Sequence, residues 1–219
     1  MLICWWLWRR RNVFLFEGKR ISKHAILASV EAIWRSLHDA HSRFSQSFGQ
    51  ECVTSKLVAQ WQTPPEGWVK VNIDGAFSHF VSGVACGGVV RDTHGNFIKG
   101  FLFKGLEGDC LSAKLWGCLH GLKLSWDLGY RNVILESDSA DVVDLLRREM
   151  NDLHADRNII AEIHSLMRRD WRLDVRLISR WANTAADYLA KAGFSAMAGF
   201  HTVVSPDAEL YSLLVKDNG

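Results

Sequence analysis

The stretch Val69-Lys70-Val71-Asn72-Ile73-Asp74-Gly75-Ala76 decides the fold of this chain. Apolar and polar residues alternate from Val69 to Ile73, which predicts a half-buried strand that ends at the carboxylate of Asp74. The run Pro64-Pro65-Glu66-Gly67 just before it is typical of a domain boundary. We therefore expect a domain to begin near residue 66, on a strand with an acidic residue at its end.

The pattern after this strand predicts a mixed sheet covered by helices. Two more strands are expected at 83–91 and around 97–103, joined by a hairpin turn at 92–96 whose Gly95 suits the bend. The remaining pattern predicts, in order, a helix at 110–128, a strand at 133–135, a helix that contains Val142 to Leu146, a helix at 156–169, a strand at 173–179 and a helix at 183–192. This order predicts an α/β fold, a mixed five-stranded sheet with helices on both faces.

The residues on either side of this domain form separate segments. Residues 1–44 have apolar residues at steps of three and four, which predicts a helical N-terminal extension. Residues 45–65 are expected to be a linker, residues 66–194 the domain, and residues 195–219 a C-terminal tail. The apolar run that precedes Arg9-Arg10-Arg11 is too short to cross a membrane, and its charge lies on the wrong side for a secretory signal. No membrane partner is therefore expected.

Composition excludes several classes of protein. A hydrophobic content of 48% in 219 residues is typical of a globular protein that can form its core without disulfide bonds or structural metal ions. The five cysteines are scattered and form no C-x-x-C pair, which argues against a disulfide framework or a zinc site. Reduced thiols predict an intracellular location, nuclear or cytoplasmic. The net charge of +2 is too small to identify a partner.

Three aspartates have positions that suit a metal-dependent site. Asp74 follows the first strand, Asp138 follows the fourth, and Asp187 lies at the start of the last helix. Taken singly, they are also compatible with a turn, a helix cap and a solvated helix residue. If the first and fourth strands are parallel neighbours, however, their carboxylates emerge at one edge and repel each other unless a cation joins them. Mg²⁺ is the natural cation, because it prefers oxygen ligands and can activate water for phosphodiester cleavage.

The chain resembles the ribonuclease H domains of plant non-LTR retroelements, which are described as reverse-transcriptase-like. The motifs that support the resemblance are 67–76, Gly87-Gly88-Val89-Val90-Arg91-Asp92, Leu128-Gly129-Tyr130, Leu135-Glu136-Ser137-Asp138-Ser139 and 180–187. Residues 1–44 resemble the stretch that precedes this domain in the same proteins. The resemblance implies the ribonuclease H fold, Mg²⁺ or Mn²⁺, and cleavage of RNA in RNA–DNA hybrids. It assigns catalysis and metal binding to Asp74, Asp138 and Asp187.

The sequence departs from that family at Lys114. The family pattern at this helix is Glu-Ala-Glu-Leu-Trp-Ala, in which the second Glu is a metal ligand, whereas this chain has Ser112 and Lys114 at the two glutamates and Gly117 at the last position. The histidine that assists product release in the family aligns with Leu177. We expect the Lys114 ammonium to lie among the aspartates, to take over part of the metal's charge and to weaken Mg²⁺ binding.

Three functions are compatible with these residues. The chain is a nucleic-acid-binding module for RNA–DNA hybrids or RNA with catalysis weakened or lost, an active Mg²⁺-dependent hybrid endoribonuclease using Asp74, Asp138 and Asp187, or a retroelement fragment without function. For the first, Lys104, Lys123 and Arg180 are candidate phosphate contacts. Whether the chain is an enzyme depends on Lys114.

Overall fold

The computed structural model describes residues 60–78, 83–148 and 154–218. Its strands are β1 (Val69–Ser78), β2 (Gly83–Arg91), β3 (Phe97–Gly105), β4 (Asn132–Ser137), β5 (Arg172–Leu177) and β6 (Gly199–Val203). They form one sheet in the order β5-β4-β1-β2-β3-β6. The strands β1, β4 and β5 are parallel to one another, and β2, β3 and β6 are each antiparallel to their neighbours. The mixed sheet is therefore as predicted.

The helices are α1 (Cys110–Asp127), α2 (Ala140–Arg147), α3 (Arg157–Met167), α4 (Thr184–Ala192) and α5 (Ala208–Asn218). Side-chain caps fix where α1 and α2 begin. Asp109 accepts a hydrogen bond from the Ser112 backbone nitrogen at 2.9 Å, and Ser139 caps α2 in the same way through Val142. Among the residues that the structure describes, no helix is long and apolar enough to span a bilayer.

The larger hydrophobic core lies between the sheet and α1, α2 and α3. Fully buried residues such as Val71, Ile73 and Leu135 come from the strands, and Leu115 and Ile163 come from the helices. The apolar residues at alternate positions of β1 face this core, as their spacing predicts. Helix α1 is packed on β1 and β2, so its residues lie directly over the strand that ends at Asp74.

Helices α4 and α5 cover the other face of the sheet. A smaller apolar cluster joins β2 to both helices through Val89, Ala185, Leu189, Leu210 and Leu214. The predicted helical cover on both faces is thus confirmed. The two clusters also explain why β1 and β2 are the most deeply buried strands.

A buried polar network lies beside this smaller cluster. Arg91 is fully buried and bonds Asp217 of α5 at 2.8 Å and the Asn72 side chain at 2.7 Å. Asn72 in turn donates to Glu136 at 2.9 Å. Trp61 also donates to Glu136, at 3.1 Å, and its ring lies 3.4 Å from the Arg91 guanidinium carbon. The network therefore ties β1, β2 and β4 to the C-terminal helix and to the segment before β1.

The C-terminal residues differ from the predicted tail, and the sheet has six strands where five were expected. Residues 199–203 form β6, which pairs with β3 in antiparallel register, and α5 follows. Leu210 and Leu214 are buried at 1% and 5% exposure, so burial of apolar side chains holds this segment on the domain. The helical extension predicted for residues 1–44 lies outside the described residues. Of the predicted linker at 45–65, residues 60–65 are described, and Trp61 is buried.

Candidate nucleic-acid site

Parallel pairing of β1 and β4 brings two aspartates to one edge of the sheet. Ile73 is in register with Ser137, so the next residues along the two strands are Asp74 and Asp138. Their side chains are 10% and 7% exposed. Two carboxylates this close and this buried need a cation or a proton between them, because burial disfavours their charged form.

Lys114 supplies that cation. Its ammonium donates a hydrogen bond to the Asp74 carboxylate and another to Asp138 Oδ1 at 2.5 Å. The lysine side chain is 11% exposed. The expectation that this ammonium lies among the aspartates therefore agrees with the geometry of the structure.

Gly75 explains why Lys114 reaches this position. A Cβ atom at Gly75 would lie 2.3 Å from the Lys114 backbone nitrogen and 2.5 Å from the carbonyl carbon of Ala113. Only glycine permits helix α1 to pass so close to β1. The helix therefore crosses the strand one residue after Asp74, and the Lys114 side chain starts beside the carboxylates.

The electrostatics of the pair follow from burial and proximity. Burial alone would lower the pKa of Lys114, but the Asp74 and Asp138 carboxylates outweigh it and the pKa is raised above its ordinary value. Burial raises the pKa of Asp74, and the Lys114 ammonium works against that rise. Lys114 is therefore a charged ammonium at neutral pH, held between two acidic groups.

Asp187 lies on the same cleft but has a different partner. It is in the first turn of α4 and pairs with Lys191 one turn later, at 2.6 Å. This pair is largely exposed, at 43% for the aspartate and 67% for the lysine. Asn183, the residue before α4, joins the start of the helix to β1, because its side chain donates to the Ile73 carbonyl at 2.9 Å. The three predicted aspartates are thus brought together around one cleft, although Lys114 contacts only two of them.

The cleft has a volume of about 360 Å³ and mixes acidic with basic side chains. Arg180 lies at its mouth with Nε 3.5 Å from Asp138 Oδ2 and a side chain that is 88% exposed. The lining residues are Asp74, Gly75, Cys110, Lys114, Asp138, Arg180, Asn183, Asp187 and Lys191. Three carboxylates therefore face three cationic side chains.

The residues present do not fit a Mg²⁺ ion between Asp74 and Asp138. The oxygens that would hold the ion accept hydrogen bonds from the Lys114 ammonium instead. Across the described part of the chain, no three His, Cys, Asp or Glu side chains converge to hold a metal. A lysine ammonium between the carboxylates therefore competes with a divalent cation for the same oxygens and adds a positive charge beside them.

All the charged residues that line the cleft except Lys191 are predicted from the sequence. Of the proposed phosphate contacts, Arg180 lies at the cleft, whereas Lys104 donates to the Phe194 carbonyl at 2.8 Å and Lys123 pairs with Glu162 at 2.6 Å. Lys191 was missed, although its spacing of four residues from Asp187 on a helix is a known signal for an ion pair.

Comparison with known proteins is consistent with this geometry. A family model described as reverse transcriptase-like matches residues 72–193, more than half of the chain. An Arabidopsis thaliana protein whose name places it among ribonuclease H proteins is 32% identical over 219 residues, which are 99% of this chain and 34% of that protein. The chain thus spans about a third of the length of that relative.

Solved structures share the fold at low identity. The N-terminal ribonuclease H domain of a Mycobacterium tuberculosis protein, solved as a fusion with maltose-binding protein, matches with a TM-score of 0.53 at 22% identity and covers 58% of this chain and 94% of that chain. LC11 ribonuclease H1 in complex with an RNA/DNA hybrid matches with a TM-score of 0.51 at 19% identity, covering 58% of this chain and 96% of its own. At this identity the likeness shows the fold.

Proposed function

Because the chain belongs to the reverse transcriptase-like family and has the ribonuclease H fold, we propose that it binds RNA–DNA hybrids and that Lys114 weakens or abolishes cleavage. We also propose that the chain derives from a plant retroelement, because its motifs resemble those of the ribonuclease H domains of such elements. One observation supports the proposed binding and weakened cleavage above all others. The Lys114 ammonium is bonded to Asp74 and Asp138 at once, where a nuclease of this kind would need a metal.

The balance of charge around the cleft supports binding without a metal. A cleft lined by carboxylates alone would repel a phosphate backbone. Here Lys114 offsets one of the two negative charges of the buried aspartates. Arg180 and Lys191 expose most of their side chains at the mouth. Cationic groups at the surface are the contacts that hold a phosphodiester strand. The hybrid in the LC11 complex is bound by a protein with the same fold, which makes a hybrid the first ligand to test.

Binding is tested with a labelled RNA–DNA hybrid in EDTA, by fluorescence anisotropy, with DNA duplex and single-stranded RNA as competitors. We expect saturable binding that needs no divalent cation. Arg180→Gln is expected to weaken it, whereas Arg172→Gln, at the opposite end of the parallel strands, is expected to leave it unchanged. Absence of hybrid binding would favour a retroelement fragment without function.

Cleavage is tested on the same hybrid with Mg²⁺ and with Mn²⁺, for the wild type and Lys114→Glu. The wild type is expected to be inactive or weak, and Lys114→Glu is expected to gain metal-dependent cleavage because it restores a fourth carboxylate. Lys114→Gln removes the ammonium without adding a carboxylate, so it should bind Mg²⁺ better than the wild type and still cleave poorly. Folding of each variant is checked by thermal unfolding with and without Mg²⁺.

Robust Mg²⁺-dependent cleavage by the wild type, equal to that of Lys114→Glu, would refute the proposal. It would support instead the hybrid endoribonuclease in which Asp74, Asp138 and Asp187 act together. If the wild type and Lys114→Glu both bind the hybrid and neither cleaves it, the binding function stands. Lys114 would then not be the cause of the missing nuclease activity.

A further inference from the structure

Trp181 is the most exposed large apolar side chain among the described residues, at 82%, and it lies beside the cleft. Its neighbours in sequence are Arg180, which lines the cleft, and Ala182, which is buried at 1%. Burial of a ring as large as an indole contributes favourable free energy, and an indole exposed to water forgoes that contribution. A tryptophan left exposed at a functional surface is a candidate ligand contact.

Hydrogen bonds anchor the backbone at Trp181 on both sides. Residues 180–182 form a single 3₁₀ turn whose start is capped by Ser179, which accepts from the Ala182 nitrogen at 3.3 Å. At its end, Asn183 is 2% exposed and is bonded to the Ile73 carbonyl. A 3₁₀ turn has three residues per turn, so its side chains point in three directions. Arg180 points to the carboxylates, Ala182 points to the core, and Trp181 is left to point into solvent.

Four other tryptophans of the described residues have aromatic or cationic partners, and a fifth, Trp68, is half-buried. Trp61 lies under Arg91, Trp116 stacks on His120 and Phe103, and Trp126 meets Trp171 edge to face. The faces of these rings are therefore covered by other side chains of the protein. Trp181 differs from them in exposing its ring next to a guanidinium that is itself 88% exposed.

We propose that Trp181 stacks on an unpaired nucleobase of a nucleic acid whose phosphate is held by Arg180. This inference rests on the proposed binding function and names a further residue of the same site. Adjacent residues of one 3₁₀ turn place an aromatic ring and a cation on the same edge of the cleft, and sites for single-stranded nucleic acid combine such stacking rings with basic side chains. Within a duplex both faces of each base are already stacked. An unpaired base therefore offers the free face that the indole needs.

The test compares two probes in EDTA, a short blunt-ended RNA–DNA hybrid and the same hybrid with a single-stranded RNA extension. The wild type is expected to bind the extended probe more tightly than the blunt one. Trp181→Ala should lose about tenfold in affinity for the extended probe, the lower part of the range for one base stack, and should bind the blunt hybrid as the wild type does. Trp181→Phe keeps an aromatic face and should retain most of the affinity.

Tyr211→Ala is the matched control, because Tyr211 is an aromatic residue on α5 that is 62% exposed. It should leave the affinity for both probes unchanged. All three variants should unfold at the temperature of the wild type, since neither ring is buried. Equal losses for the two probes, no loss in Trp181→Ala, or no wild-type preference for the extended probe would each overturn the stacking proposal while leaving hybrid binding itself intact. Failure of the wild type to bind either probe would instead overturn the proposed function, and the stacking proposal with it.

Discussion

At the scale of single residues, Gly75 and Lys114 define the site as much as the aspartates do. The aspartates were predictable, because each follows a recognisable strand or begins a helix. The sequence also predicts that the Lys114 ammonium lies among the aspartates. It does not predict that the contact is with Asp74 and Asp138 alone, because that depends on how closely α1 approaches β1. That approach is set by the missing side chain of Gly75.

Gly75→Ala is expected to destabilise the protein by about 3 kcal/mol, since the new methyl group would meet backbone atoms that cannot rotate away. Gly117→Ala is the matched control. Its Cβ would lie 3.2 Å from the Asp74 carbonyl oxygen, a much longer approach than the 2.3 Å at Gly75, and alanine favours the helix. That control should change the free energy of unfolding by less than about 1 kcal/mol. Urea unfolding of both variants measures the difference, and equal effects would contradict the close-approach argument.

His120 gives the folded state a dependence on pH. Its ring stacks among Trp116, Phe103 and Phe200, and burial, helped by Lys123 and opposed by Glu162, lowers its pKa to about 4. An unfolded histidine has a pKa of about 6.5. Between that pH and about pH 4, the histidine is therefore protonated in the unfolded state and neutral in the folded state. This contribution to stability is present above about pH 6.5 and is lost as the pH falls toward 4.

The measurement compares the wild type with His120→Phe in urea at several pH values. Between about pH 7.5 and about pH 5, the wild type should lose roughly 2 kcal/mol more than the variant, which keeps a ring but cannot titrate. Parallel pH profiles for the two proteins would show that the histidine is not buried in its neutral form.

At the scale of elements, the C-terminal segment differs most from its prediction. The sequence predicts a tail over residues 195–219, because they follow the last motif of the predicted domain, whereas the structure has β6 and α5 there. Leu210 and Leu214 are four residues apart, a helical spacing that was available as a signal. The partner of Asp217 had no local signal, since Arg91 lies 126 residues earlier. Long-range ion pairs of this kind cannot be found from local periodicity.

Asp217→Ala tests whether α5 is part of the folded domain. The change leaves the fully buried Arg91 without its carboxylate, which typically costs about 3 kcal/mol or more. Lys216→Ala, at an exposed position next to it, should stay within about 0.5 kcal/mol of the wild type. Urea is the suitable denaturant because it does not screen the ion pair. A loss no larger than that of the control would mean that α5 contributes little to stability.

At the scale of the whole molecule, the parallel strands position the acidic residues at one edge of the sheet. The helices on the two faces supply the cationic side chains that these acidic residues contact. The order of strands and helices predicted this architecture, because hydrophobic alternation and turn residues are local signals. The charge of the cleft follows from elements distant in sequence, since α1 contributes Lys114, the turn before α4 contributes Arg180, and α4 itself contributes Lys191. Together these cations equal the number of aspartates, so the cleft is close to neutral without a metal.

A near-neutral cleft with two exposed cations predicts a measurable dependence of hybrid binding on salt. Each phosphate contact contributes about one unit to the slope of log affinity against log salt concentration, because a bound cation releases a counterion. Arg180→Gln should therefore reduce the magnitude of that slope by about one, and Lys191→Gln by a similar amount. Arg172→Gln, an exposed arginine at the far end of β5, should leave the slope unchanged. The measurement is a series of anisotropy titrations in EDTA at increasing salt, and equal slopes for all four proteins would place the bound strand elsewhere on the surface.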